Sequence, residues 1–192
     1  MTVTTLNLKP IAKLTKEQFY TLCAANPDIR LELNTKGELI IMSPTGGETS
    51  AWNSKLIAAL VNWNEQTGLG ETFDSSGGFS LPNGAQRSPD AAWIPLEKWN
   101  ALTLEEKRGF LPLCPDFVIE LLSPSDSWKQ GRNKMEEYME NGCRLGWLIE
   151  PQNKRVAIYR AKQAVEIVEA PTYLSGEGVL DGFTLNVAKI WK

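Results

Sequence analysis

The chain has 192 residues, a formal net charge of −3, a hydrophobic share of 42% and a charged share of 22%. That length suits one domain, 1–192, with a full-sized core, and that balance excludes a protein that coats nucleic acid non-specifically, though not a locally basic groove. There is no histidine, which removes Ser-His-Asp and Cys-His nucleophiles and imidazole-built zinc sites; any hydrolysis must use carboxylates, lysines, hydroxyls and an oxygen-liganded metal.

From the N-terminus, Met1 to Lys9 lacks the basic start and continuous apolar stretch of a signal peptide. No later run approaches the roughly 18 apolar residues needed to span a bilayer. A cytoplasmic protein without membrane partners is expected. Thr15-Lys16-Glu17-Gln18 has the spacing of a capping box and predicts a helix with Phe19, Leu22 and Cys23 on its apolar stripe, stopped at Asn26-Pro27. Residues 29–33 and 38–42 read as a hairpin around Asn34-Thr35-Lys36-Gly37. A longer helix is predicted to begin near Thr49 or Ser50, with Trp52, Leu56, Leu60 and Trp63 at helical spacing and Gly68 and Gly70 at its end.

Short strands are expected over 71–73, 79–81 and 90–94, then a charged, partly helical excursion over 96–112. The best-defined unit follows: a strand at 116–122, a helix at 128–141 closed by Gly142, and a strand at 145–150, a βαβ crossover. A hairpin over 155–160 and 165–168 and a last strand at 184–187 complete the chain. The three cysteines, Cys23, Cys114 and Cys143, form no C-x-x-C pair and read as buried small hydrophobes. The expected architecture is α/β, a mixed β-sheet flanked by helices with peripheral β-hairpins.

Within that frame Glu120 stands out. It lies inside the apolar run Phe117-Val118-Ile119-Glu120-Leu121-Leu122, where an unpaired carboxylate costs several kcal/mol by order of magnitude. Upstream, Ser88-Pro89-Asp90 opens another apolar run, Ala91-Ala92-Trp93-Ile94. Two carboxylates carried into one core on neighbouring strands suggest a site for a hard divalent cation. Period-two geometry sets Asp116, Val118, Glu120 and Leu122 on one face, with Phe117, Ile119 and Leu121 on the other. Lys134 and Tyr138 stand one turn apart on the crossover helix, which packs back onto the preceding strand and brings Lys134 within reach of Glu120.

These residues resemble a known family. Pro89-Asp90, twenty-nine residues, then Glu120 matches the spacing of the PD-(D/E)XK, restriction-endonuclease-like nucleases. The ordered set Leu31-Glu32-Leu33, Gly37-Glu38-Leu39-Ile40, Ser88-Pro89-Asp90, Pro115 to Asp126, Lys134, Tyr138, Gly142 and Trp147 to Pro151 resembles the Uma2 (DUF820) family over about residues 17–159. The resemblance implies a restriction-endonuclease-like domain and metal-dependent phosphodiester hydrolysis on nucleic acid, DNA above all, with a homodimer because superfamily members often pair to cut two strands. It implies Mg²⁺ or Mn²⁺ held by Asp90, Glu120 and the backbone carbonyl of Leu121, with Lys134 orienting water or stabilising the transition state and Tyr138 positioning Lys134 or a phosphate oxygen. The chain departs from the pattern twice. Leu122 stands where the superfamily lysine belongs, so Lys134 is the substitute. Glu48-Thr49-Ser50 stands where many relatives carry a histidine, leaving Glu48 as a candidate third carboxylate.

Other readings stay open for the same residues. Glu120 also suits a structural ion pair with Lys134 or Arg132, and Asp90 a turn cap after Pro89. Glu32 either faces the site or pairs with a surface lysine. Asp116 reads as satisfying backbone donors at the strand entrance, and Asp126 as a helix cap. Trp52, Trp63 and Trp147 belong to the core, while Trp128 is a candidate substrate contact. The basic residues between Lys129 and Arg155 are interleaved with glutamates and read as a solvated mixed-charge face. The rival to a nuclease is an inactive member of the fold serving as a binding module; a third reading is a metal-dependent enzyme on another phosphate-bearing substrate.

Overall fold

A computed structural model describes residues 3–8 and 13–191; Met1, Thr2 and Lys9 of the segment read for a signal lie outside it. The first strand, β1 (Val3–Asn7), has no counterpart in the sequence prediction: its residues from Thr4 to Leu6 are exposed, so no burial pattern marks it. Helix α1 (Lys16–Ala25) starts where the capping box requires. Thr15 Oγ1 accepts from the Gln18 N–H, and Gln18 returns the bond to the Thr15 N–H. The hairpin β2 (Arg30–Leu33) and β3 (Glu38–Met42) turns on Asn34, whose side chain takes the Lys36 and Glu38 N–H groups, and on Gly37 at φ +74°.

Helix α2 (Gly47–Thr67) begins at Gly47, ahead of the predicted start. Gly46 caps it without a side-chain bond, so no polar cap marked the boundary. Its stripe of Trp52, Leu56, Leu60 and Trp63 is buried as predicted, and Gly68 closes it in the left-handed conformation. The chain continues through β4 (Gly70–Asp74), β5 (Phe79–Ser80), β6 (Gln86–Arg87) and β7 (Ala91–Pro95). The 96–112 excursion forms two short helices, α3 (Leu96–Ala101) and α4 (Leu104–Arg108). The crossover unit is β8 (Phe117–Leu121), α5 (Trp128–Glu140) and β9 (Leu145–Glu150). Then come β10 (Arg155–Arg160), β11 (Glu166–Glu169), β12 (Tyr173–Ser175) and β13 (Thr184–Asn186). β6 and β12 escaped the sequence reading because two- and three-residue strands carry too little periodicity to detect.

The central sheet runs β11-β10-β9-β8-β7-β4, and β8 and β9 are its parallel pair, as the βαβ reading requires. Alternation along β8 feeds two cores. Phe117, Ile119 and Leu121 pack with the α2 stripe and with Phe183 and Leu185. Val118 and Leu122 pack on the opposite side with Met135, Tyr138 and Leu148. A second sheet, β1-β3-β2-β6-β5, lies under α1 around Phe19, Leu31, Leu33 and Leu39.

Two glycines set how closely α5 rides on the central sheet. A Cβ at Gly131 would stand 2.9 Å from Leu148 Cδ1, and one at Gly146 would stand 2.4 Å from Met135 Cε. Their bare backbones bring the helix down onto β8 and β9. That proximity lets side chains on α5 reach a residue buried in β8.

Candidate functional site

The site grows from the register of β7 against β8. Ala91 pairs with Ile119 in an antiparallel ladder, so one further step sets Asp90 opposite Glu120. There the backbone ladder ends, after Ser88-Pro89, and a side chain takes over: the Asp90 carboxylate accepts the Leu121 N–H at 2.8 Å through Oδ2. On a strand a residue's N–H and C=O point to the same side, so the Leu121 carbonyl faces the Asp90 edge as well.

Glu120 is only 8% exposed. Lys134 Nζ stands 2.8 Å from its Oε1, and the Tyr138 hydroxyl donates to the same oxygen at 3.0 Å. The predicted convergence of Asp90, Glu120, Lys134 and Tyr138 is therefore present. Each acid commits one oxygen to a protein donor. Among the described residues, no donor meets Asp90 Oδ1 or Glu120 Oε2.

Glu32, an accessory candidate from sequence, proves central. Only 2% exposed, it accepts from Arg87 Nη1, from the Ser88 N–H and from Lys134 Nζ, each at 2.9 Å. Arg87 also binds Glu137 on α5. The sequence reading did not single out Arg87; β6, the strand that carries it, is two residues long and gives no periodic signal. Glu32 itself had a visible signal, an acid between two buried leucines, of the same kind that marked Glu120.

The charge states follow from these contacts. Burial pushes the Glu32 carboxyl up, but the Lys134 and Arg87 charges and the Ser88 N–H outweigh it and hold it below the usual range. Burial raises Asp90 despite the Leu121 N–H. Burial also raises Glu120 to about 7, against the pull of Lys134 and reinforced by the nearby Asp90 and Glu32 charges. Lys134 loses to burial yet gains more from Glu120 and Glu32, so its ammonium is held above its ordinary value. Tyr138 is raised by burial and by the neighbouring carboxylates, which keeps it a hydroxyl donor.

Several sequence expectations are corrected. Glu48 is exposed in the first turn of α2, where its neighbour Thr49 takes the buried side of the helix, and among the described residues it makes no hydrogen bond or ion pair with the acids of the site. Asp116 does more than receive backbone donors: its side chain, almost fully buried, pairs with Lys98 at 2.7 Å and with Arg144 at 3.7 Å. Ser127, not Asp126, caps α5, while Asp126 accepts from the Ser123 N–H and hydroxyl. Trp128 is half-buried with the Arg155 guanidinium 3.9 Å over its ring, so that face is covered rather than open for a base. Arg132 pairs with Glu136 on its own helix, not with Glu120. Cys114 and Cys143 are buried as expected, Cys23 only partly.

Among the described residues no group of three or more His, Cys, Asp or Glu side chains converges as a metal cage. Glu32 cannot complete one, since both its oxygens are already taken by cations and an amide. Asp90, Glu120 and the Leu121 carbonyl remain: an all-oxygen set with two uncommitted carboxylate oxygens. That fits Mg²⁺ or Mn²⁺, which take one or two carboxylates and keep several waters. Two clefts of about 360 and 400 Å³ lie elsewhere, along the flanks of α2. Among the described residues, no helix is long and apolar enough to cross a membrane.

Comparison with known proteins bears on the fold and the family. A solved structure from Anabaena variabilis ATCC 29413, described as "a putative nuclease belonging to DUF820", superposes with a TM-score of 0.78 at 19% identity. The match covers 93% of this chain and 97% of that one, and the two share the fold. No curated protein matches the sequence. The family model of Uma2, described as "Putative restriction endonuclease", matches residues 16–188. A mixed α/β chain with Asp90 just ahead of β7, Glu120 on β8 and Lys134 on the crossover helix, this protein belongs to the Uma2 family.

Proposed function

We propose that the chain is a metal-dependent phosphodiester hydrolase acting on nucleic acid, DNA in the first instance. The observation that carries the reading is the juxtaposition of Asp90 and Glu120, each with one anchored and one uncommitted oxygen, beside the Lys134 ammonium. Asp90, Glu120 and the Leu121 carbonyl would hold Mg²⁺ or Mn²⁺. Such an ion, when bound, supplies a lowered pKa for water and offsets charge on the scissile phosphate.

The side chains of this chain do the rest. Tyr138 fixes the rotamer of Glu120 by donating to Oε1. The Leu121 N–H fixes Asp90. Glu32 holds Lys134 from the far side, so the ammonium stays beside Glu120 as a compact positive charge for a developing phosphorane. Lys134 here does the work assigned to the motif lysine, whose place Leu122 fills with an apolar side chain packed in the core.

The test is cleavage of duplex DNA, single-stranded DNA, RNA and a small phosphodiester with Mg²⁺, Mn²⁺ or EDTA. Metal-dependent cleavage that E120Q and D90N abolish, with folding intact, is the expected result; cleavage surviving D90N removes Asp90 from the mechanism. Turnover of the small phosphodiester alone would move the substrate class away from nucleic acid. A cut through both strands calls for a homodimer, which sedimentation with and without duplex measures.

The ion pairs favour a second reading, an inactive binding module in which Lys134 merely neutralises Glu32 and Glu120. Thermal unfolding separates the two. Millimolar Mn²⁺ should raise Tm in the wild type and not in E120Q; no shift in the wild type favours the module.

A further inference from the structure

Arg30 is the one half-buried arginine of this chain that the described structure leaves uncommitted. The chain has seven arginines. Arg87, Arg132, Arg144, Arg155 and Arg160 each pair with a carboxylate, and Arg108 is exposed. Among the described residues, the Arg30 guanidinium makes no hydrogen bond or ion pair, although it lies in acidic company. It stands on β2 two residues before Glu32 and pairs across to Met42, so both side chains leave the same face of that strand, roughly 7 Å apart. Its positive charge adds a minor downward pull on Asp90, which burial raises, and on Asp74, which the Ser76 hydroxyl chiefly lowers. It is thus near the acids of the site without being consumed by any of them.

Lys134 has less to spare. Its ammonium already serves Glu32 and Glu120 at 2.9 and 2.8 Å and is only 18% exposed. Arg87 is buried between Glu32 and Glu137. Among the described cations around the acids, Lys134 and Arg87 are paired, whereas the half-buried Arg30 meets no hydrogen-bond or ion-pair partner. A guanidinium in that state matches the paired oxygens of a phosphodiester.

We infer that Arg30 is a substrate-contacting residue, its guanidinium gripping non-bridging phosphate oxygens of a nucleic-acid backbone at the mouth of the Asp90–Glu120 site. The inference takes its substrate class from the proposed nuclease reading, yet it concerns binding and not cleavage. It also explains how a site built from three acids tolerates a polyanion: an unpaired cation stands at its edge.

The experiment is anisotropy titration of labelled duplex DNA and RNA in EDTA, over a series of salt concentrations, with wild type, R30Q and R30K. R30Q should weaken binding by about tenfold and lower the slope of log affinity against log salt by about one. R30K should keep the slope but recover only part of the affinity, because a lysine cannot bind bidentately. Equal melting temperatures establish that the variants fold; should R30Q not fold, reduced affinity of R30K at the wild-type slope is the expected result and unchanged affinity overturns the inference. Wild-type binding that R30Q leaves unaltered in strength and slope sinks the role of Arg30 alone. Binding lost in R30Q by a wild type that never cleaves supports Arg30 and sinks the nuclease reading. No binding of either nucleic acid by wild type overturns both.

Discussion

Lys134 on α5 reaches Glu32 on β2 at 2.9 Å across 102 residues of chain. The contact ties the second sheet to the crossover helix of the central one, and Arg87 doubles it by gripping both Glu32 and Glu137. Glu32→Gln would leave two buried cations short of a counter-charge. Removing one partner of a buried pair costs about 3–5 kcal/mol, and a loss of that size in urea unfolding is expected. The double variant E32Q/K134M should cost less than the two single variants summed, by about 1 kcal/mol or more, since the residues touch.

Lys134→Met separates charge from metal binding. Asp90 and Glu120 keep their uncommitted oxygens, so the rise in Tm on adding Mn²⁺ should persist. Cleavage should fall by at least about a hundredfold, the scale of losing one preorganised electrostatic group. Cleavage at the wild-type rate would return Lys134 to a structural role.

Glu120 makes the metal-free protein sensitive to pH. Its folded-state pKa is raised from 4.5 to about 7, so the folded state binds the proton more tightly than the unfolded one. The stability from this group is fully present below pH 4.5 and is lost as pH rises through 7. The opposite holds for Glu32, whose depressed pKa adds stability above its unfolded value that is lost in acid. Glu120→Gln isolates the first effect. In EDTA, E120Q should gain on wild type between pH 4.5 and 7.5, by a few kcal/mol at most. A difference that stays flat across that range would show that Glu120 is ionised throughout.

Gly70 opens β4 at the end of α2, where Asn64 donates to its carbonyl and accepts from the Trp93 indole. A Cβ there would stand 2.0 Å from the Ile94 carbonyl oxygen and 2.5 Å from the Trp93 ring. Backbone cannot yield as a flexible side chain does. Gly70→Ala is expected to cost about 3 kcal/mol or more, seen as a lowered midpoint in denaturant with the metal response unchanged in the fraction that folds.

Local periodicity was enough to set the βαβ unit, the capping box at Thr15 and the buried stripe of α2, because each is decided by residues within a turn or a pleat of one another. It was also enough to single out Asp90 and Glu120, since an acid in an apolar strand must find a partner. Periodicity names the face a side chain leaves from, not what stands opposite. Only the packing of β2 and β6 beside α5 decided that Glu32 and Arg87 join Lys134, over separations of 55 and 102 residues. Those outcomes depend on how two sheets meet, a long-range energy that no stretch of sequence carries by itself.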